Sequence, residues 1–263
     1  MPAPERLADR IAAIAAEAGA LAMARFGGPV DRWEKAPGQL VCEVDLAVDA
    51  LLRERLSALL PDAGWLSEET VDDAARLACR RIWVVDPIDG TRDYLRGRPG
   101  WAVSIALVED GQPVVGVLDA PARGERWRAE AGEGAWRGDV RLRASDHATL
   151  AGARVPADAL AKADRDFATV AKPNSIALRM AMVAAGEADL LATLRWGHEW
   201  DIAASTLIAC EAGAAVTDAL GRPLAFNTPA GKAFGVLATA PAIHELARNR
   251  LRARAEAAMA RGD

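Results

Sequence analysis

The sequence predicts a layered fold of mixed class, α/β or α+β. Three observations carry this. Apolar residues recur at helical spacing in several stretches, short β-branched runs stand between them, and one pair of such runs is joined by a hairpin dipeptide. With 263 residues the chain can build one large domain or two lobes sharing a core. We expect a single domain over 1–263, with an N-terminal α+β lobe over 1–145 and a C-terminal α/β lobe over 146–263.

The elements follow in order. Leu7, Ile11, Ile14, Ala18 and Leu21 define one face of a first helix, stopped by Gly27, Gly28 and Pro29. This segment carries Glu5, Asp9 and Glu17 and lacks a basic leading stretch, so it reads as part of the fold and not as a signal peptide. RWEKAPGQLVCEVD is extended. Val48, Leu51, Leu52, Leu56, Leu59 and Leu60 predict a helix over 45–60, ended by Pro61. AGWLSEET is a short strand or turn, DDAARLACR a helical turn or short helix, and RIWVV a strand by its length and β-branching. WAVSIALVEDGQPVVGVLDAP contains two apolar runs joined by Asp110-Gly111, a strong hairpin signal. ERWRAEAGEGAWRGDVRLRAS continues in short strands with glycine turns. Between 150 and 195, strand-like pieces alternate with a helix in SIALRMAMVAAG. DIAASTLIACEAGA is another helix, capped by Gly213. AAVTDALGRPLAF and GVLATA read as strands, and the tail from Ala242 as a helix. The spacing leaves the strand order open.

Composition narrows the function. Lys and Arg number 32 against 37 Asp and Glu, a formal charge of −5. A modestly acidic chain is a poor general binder of nucleic acid polymers or anionic membranes. No segment approaches the apolar length of a membrane span. Cys42, Cys79 and Cys210 are odd in number, widely spaced and in no CxxC pair. That argues against a disulfide framework or structural zinc, and predicts three buried free thiols in a cytoplasmic protein.

Carboxylates fall at strand ends and helix starts. Glu68-Glu69 follow WLS, Asp86 and Asp89 sit in WVVDPIDGT, Asp201 in HEWDIAAS and Asp45 in CEVDLAVD. By periodicity alone Asp45 and Asp201 read first as helix N-caps, while Asp86 and Asp89 could be turn formers and the glutamates a solvated pair. DPIDGT resists the ordinary reading most. A buried strand that ends in Asp86 carries a charge to the core edge, which is costly unless paired, and Arg92 is the nearest cation in sequence. A hard divalent cation resolves the conflict: Asp86, the carbonyl of Ile88 and Asp89 can point into one turn. Gly90 permits close backbone approach, and free N–H groups at Gly90 and Thr91, with the Thr91 hydroxyl, suit a phosphate ester.

The order Glu-Glu, DPIDGT, WDIAA and EAGA resembles the inositol monophosphatase superfamily, over nearly the whole chain from EVDLAVD onward. The resemblance implies an αβαβα sandwich and a Mg²⁺-dependent phosphomonoesterase using two or three ions and inhibited by Li⁺, often a homodimer. It implies metal ligation by Glu68, Asp86, the Ile88 carbonyl, Asp89 and Asp201. Asp45 and Thr91 would orient the attacking water, Gly90 and Thr91 would contact phosphate, and Lys35 would lie near the metals. Attack on phosphorus is then in line, with no covalent intermediate. His147, His198 and His244 are not needed as bases.

Several positions depart from the family pattern. Ser67 and Ala214 replace glycines. Asn174 stands where a glycine often meets substrate. Leu194 occupies the place of a glutamate that contacts inositol hydroxyls, and an apolar side chain cannot make those bonds. Arg195 and Trp196 suit a second phosphate and a flat base; equally, Trp196 can pack in the core and Arg195 can be solvated. DPIDGTRDYLRGRPGWAVSIALV with HEWDIAA is similar to bacterial 3′(2′),5′-bisphosphate nucleotidases, which convert adenosine 3′,5′-bisphosphate to AMP. Inositol-1-monophosphatase and histidinol-phosphatase are the alternatives within the superfamily. A non-catalytic metal- or nucleotide-binding protein is the alternative outside it.

Overall fold

A computed structural model describes residues 6–36 and 39–262. The chain begins with α1 (Leu7–Met23), the hairpin β1 (Arg32–Ala36) and β2 (Gln39–Cys42), and α2 (Glu43–Leu59). Then come β3 (Gly64–Ser67), a 3₁₀ turn over Ala74–Ala78, β4 (Arg81–Asp89) and the single-turn α3 (Thr91–Leu95). A meander follows: β5 (Ala102–Glu109), β6 (Gln112–Ala120), β7 (Glu125–Glu130), β8 (Gly134–Arg137) and β9 (Val140–Arg141). The remainder is β10 (Arg154–Pro156), β11 (Ala168–Val170), α4 (Ile176–Ala184), β12 (Leu190–His198), α5 (Ala203–Glu211), β13 (Ala215–Thr217), β14 (Lys232–Thr239) and α6 (His244–Arg261).

Two sheets and three helical layers stack alternately. The larger sheet has the order β3-β4-β5-β6-β7-β8-β9, with β3 parallel to β4 and the other neighbours antiparallel. Side chains alternate across it. Trp83, Val85, Ile105, Leu107, Val115 and Val117 pack on α1 and α2. Ile82, Val84, Ala102, Ala106 and Leu118 face α4 and α5. The smaller sheet, β12-β14-β13, covers the other side of α4 and α5 through Leu191, Val236 and Ala238. Its outer face, through Leu190 and Leu237, meets Ile243, Ala247 and Leu251 at and within α6. The result is the αβαβα sandwich.

The structure adjusts several expectations. The buried face of α1 centres on Ile11, Ala15, Ala18 and Ala22, with Leu7, Ile14 and Leu21 at its margins. Small residues there let the helix lie close against the sheet. AAVTDALGRPLAF is strand only over Ala215–Thr217, because Asp218 Oδ1 accepts from the N–H groups of Leu220 and Arg222 and folds the chain into a turn. Cys42 is buried, but Cys79 is half-buried and Cys210 exposed. The Asp110-Gly111 hairpin is present, with both residues left-handed (φ 50° and 78°), as a type I′ turn requires.

Candidate active site

The strand β4 does not stop at the apolar run; it continues through Asp86, Pro87 and Ile88 to Asp89. Its pairing with β5 shifts register here: Asp86 lies opposite Ser104 and Asp89 opposite Ala102. Three steps on one strand match two on the other, so one residue is extra. In a regular strand residues three apart point to opposite faces; one extra residue restores them to the same face. Pro87, which has no N–H to give a neighbouring strand, sits at that bulge. The Asp86 carboxylate accepts from the Ile88 N–H (3.0 Å) and holds the bulge shut.

A cleft of about 390 Å³ opens where this bulge meets the inner face of β12 and the start of α5. Glu68, Asp86, Asp89 and Asp201 line it as carboxylates, and Lys35, Arg92, Arg179 and Arg195 as cations. Ile88, Gly90, Thr91 and Asn174 also line it. Gly90 has φ 98°, and a Cβ there would stand 2.7 Å from the Gly100 carbonyl oxygen, so only glycine fits.

Burial sets the electrostatics. Asp86 and Asp89 are nearly inaccessible. Burial pushes the Asp86 carboxyl well above its ordinary pKa, with further upward pressure from Glu68, Asp89 and Asp201. Burial, then Asp89 and Glu68, raise Asp201 in the same way. Glu68 is pushed up to about 7, by burial first, against the pull of Lys35. Asp89 is also raised by burial, although it accepts from the Ser175 hydroxyl (2.5 Å) and the Ala177 and Ile176 N–H groups (2.7 and 3.3 Å). Those donors form the N-terminus of α4, whose dipole favours the ionised carboxylate.

Each expected residue has a definite place. Lys35 Nζ donates to Glu69 Oε1 (2.6 Å) and to the Glu68 carbonyl (3.3 Å). Thr91 Oγ1 lies 3.0 Å from the Ile88 carbonyl and 3.3 Å from Asp45 Oδ1. Asp45 is buried behind Thr91 and does not line the cleft; its Oδ2 accepts from the Cys42 N–H and thiol, both at 2.8 Å. Asp45 is therefore the third residue of α2, not its N-cap. Asp201 does not cap α5 either: it precedes the cap residue Ile202 and receives one long bond, from the His198 N–H (3.4 Å).

Arg195 faces the cleft, but Trp196 does not. Trp196 packs edge-on against Phe234 at 5.5 Å and is partly exposed. Leu194 shares that outer side, against the apolar residues under α6. The flat surface in the cleft is instead His198 stacked on Trp200, with centroids 4.2 Å apart and planes 8° from parallel. Burial, Lys232 and Lys35 hold the His198 pKa down to about 4, so the ring is neutral at physiological pH. Arg179 was not expected from the sequence. A lone charge in the apolar stretch SIALRMAMVAAG is the signal that marks it. Its guanidinium bonds the Asn174 and Ser175 carbonyls (2.9 and 3.2 Å). His244 bridges Thr217 and Thr239 under α6, a structural role.

The donor set fits a hard divalent cation. Four carboxylates line one cleft with pKa values raised by burial, and in Glu68, Asp86 and Asp201 also by one another, despite the cations of the same cleft. Beside them Glu69 Oε2 is buried without a hydrogen-bond partner among the described residues. No three Asp, Glu, His or Cys side chains among the described residues are drawn onto one point as they stand.

The sequence profile of the inositol monophosphatase family matches residues 4–256. A fructose-1,6-bisphosphatase/inositol-1-monophosphatase of Thermotoga maritima is 34% identical over 205 residues, 74% of this chain and 78% of that protein. The 3′(2′),5′-bisphosphate nucleotidase CysQ of Escherichia coli is 32% identical over 232 residues, 83% of this chain and 93% of that protein. A solved IMPase structure from Thermotoga maritima superposes with a TM-score of 0.82 at 29% identity, covering 95% of this chain and 98% of that one.

Proposed function

The chain belongs to the inositol monophosphatase family and is a phosphatase of small phosphorylated substrates, and on that premise we propose that it prefers a nucleoside 3′(2′),5′-bisphosphate, converting adenosine 3′,5′-bisphosphate to AMP. One observation carries the preference: Arg195 reaches the cleft beside Arg179, across from the carboxylates. Arg195 forms no salt bridge among the described residues and acts on Asp201 only through space, which suits a second phosphate. The His198–Trp200 stack offers a flat, neutral surface for a base, the part first assigned to Trp196. The similarity to CysQ supports the same reading.

In this reading Glu68, Asp86, Asp89, Asp201 and the Ile88 carbonyl hold two or three Mg²⁺ ions, and Li⁺ inhibits. When bound, Mg²⁺ supplies the positive charge that the transferring phosphoryl group and leaving oxygen require. The Thr91 hydroxyl, set between the Ile88 carbonyl and Asp45, orients the attacking water. Its proton can pass through Thr91 to Asp45, which burial raises above the ordinary aspartate range. Gly90 and Thr91 contact the phosphate, and Asn174 and Arg195 the rest of the ester.

A panel of adenosine 3′,5′-bisphosphate, inositol 1-phosphate, histidinol phosphate and fructose 1,6-bisphosphate tests the preference. We expect the highest kcat/KM for the nucleotide. We expect Arg195→Ala to cost the bisphosphates about ten- to hundredfold while sparing monophosphates. Equal loss on inositol 1-phosphate would refute the assignment of Arg195. Preference for fructose 1,6-bisphosphate would favour the second reading, which the Thermotoga relative supports.

A further inference from the structure

We infer that a clamp, formed by the buried side chains of Arg76 and Glu199 with the more exposed Asp72, around the turn at Asn227-Thr228, sets the spacing between the two arms of the cleft that carry Glu68 and Asp201. Arg76, Glu199 and Thr228 are then positioning residues for the cation site. The inference rests on the proposed roles of Glu68 and Asp201 as ligands.

Glu199 lies two residues before Asp201 and is fully buried, outside the cleft lining. Its carboxylate accepts from the Asn227 N–H (2.7 Å), the Thr228 N–H (3.0 Å) and the Thr228 hydroxyl. Its own N–H donates to the Gly231 carbonyl, and its carbonyl accepts from Ile202 and Ala203 at the start of α5. The segment bearing Asp201 is thus tied to the 227–231 loop on one side and to α5 on the other.

The opposite arm grips the same turn. Arg76, four residues after Asp72 and just downstream of Glu68-Glu69, has a side chain only 1% exposed. Its Nε and Nη2 donate to the Asp72 carboxylate (2.6 and 2.8 Å). Nη1 donates to Asn227 Oδ1 (2.7 Å) and Nη2 to the Thr228 carbonyl (3.0 Å), while Asn227 Nδ2 returns a bond to the Arg76 carbonyl (3.2 Å). Asn227 has φ 59°, a left-handed conformation that asparagine adopts more readily than most non-glycine residues.

Stability alone does not account for this arrangement. Burying a guanidinium and a carboxylate costs desolvation that their attraction recovers only in part, and apolar substitutes often serve as well. What the fork of Arg76 and the paired oxygens of Glu199 add is direction. Each fixes the turn along several bonds at once, so β3 and the start of α5 cannot slide relative to each other without breaking them. Mg²⁺ demands near-ideal octahedral geometry, so ligands delivered from separate layers must be held to a fraction of an ångström.

The test uses Thr228→Val, which removes one hydroxyl at nearly constant shape, Thr228→Ser, which keeps it, and Arg76→Met. Mg²⁺ binding is measured by calorimetry on the folded, substrate-free proteins, and kcat is measured at saturating Mg²⁺. We expect the Mg²⁺ Kd to rise about three- to tenfold in Thr228→Val and to return within about twofold of wild type in Thr228→Ser. Arg76→Met should bind Mg²⁺ more weakly still; if it does not fold, the Thr228 pair decides. A lowered Tm with wild-type Mg²⁺ affinity would overturn the clamp and leave the ligand assignment standing. A wild-type protein that binds no Mg²⁺ would overturn the ligand assignment itself, and the clamp with it.

Discussion

Single residues in this cleft hold more than one post, and that decides which substitutions are informative. Asp89 closes the N-terminus of α4 through three donors as well as facing the cleft. Asp201 receives one long bond and is otherwise crowded by like charge. Asp89→Asn places an amide against N–H donors and should lower stability by about 1–3 kcal/mol while abolishing phosphate release. Asp201→Asn should abolish release just as fully but raise the Tm of the metal-free protein, since it removes repulsion and little bonding. Thermal melts in chelator beside phosphate-release assays read both, and a destabilised Asp201→Asn would contradict this account. The carboxylates were legible because acidic residues at the end of an apolar run are costly without a purpose. Trp196 lies outside the cleft because it packs against Phe234, a partner on β14 that the local sequence does not reveal. Glu199 gave no signal, since its partners at Asn227 and Thr228 lie far along the chain.

At the scale of elements, most helices and strands followed from apolar period and punctuation. What escaped was irregularity inside strands: the bulge at Pro87-Ile88 and the register shift of β12 between Thr193 and Trp196. Both depend on a partner strand, which no local pattern reveals. The seating of α5 on β6 is sensitive to substitution. A Cβ at Gly116 would stand 2.5 Å from the Ala204 carbonyl oxygen, so backbone meets backbone there. Gly116→Val should cost about 1–3 kcal/mol or more by overpacking. It should also reduce activity, because α5 begins beside Asp201. Chemical denaturation and phosphate release together check this; full activity with lowered stability would show that α5 can shift without moving the site.

The molecule as a whole stores electrostatic tension. For Glu68 the folded protein binds its proton more tightly than the unfolded chain, with the pKa moving from 4.5 to about 7. That contribution to metal-free stability is complete below about pH 4.5 and is lost as the pH rises through about 7; Asp86 and Asp201 act in the same direction. The metal-free Tm should therefore fall between about pH 5 and pH 8, and Mg²⁺ should restore it most at the alkaline end. Scanning calorimetry over that range with and without Mg²⁺ tests the sign, and a metal-free Tm that climbs with pH would reverse it. The five-layer order was implied by the family likeness, because sequence spacing by itself left strand order open.

Along β12, Thr193, Arg195 and Gly197 look into the cleft while Leu194 and Trp196 look outward. The carboxylates come mainly from the far wall, at the ends of β3 and β4. On the proposed roles, the vocabulary of substrates and the grammar of hydrolysis are written on different pieces of the chain. A lineage can revise the inward side chains of one strand and acquire a new ester, while inheriting the cleavage machinery and the packing beneath it intact.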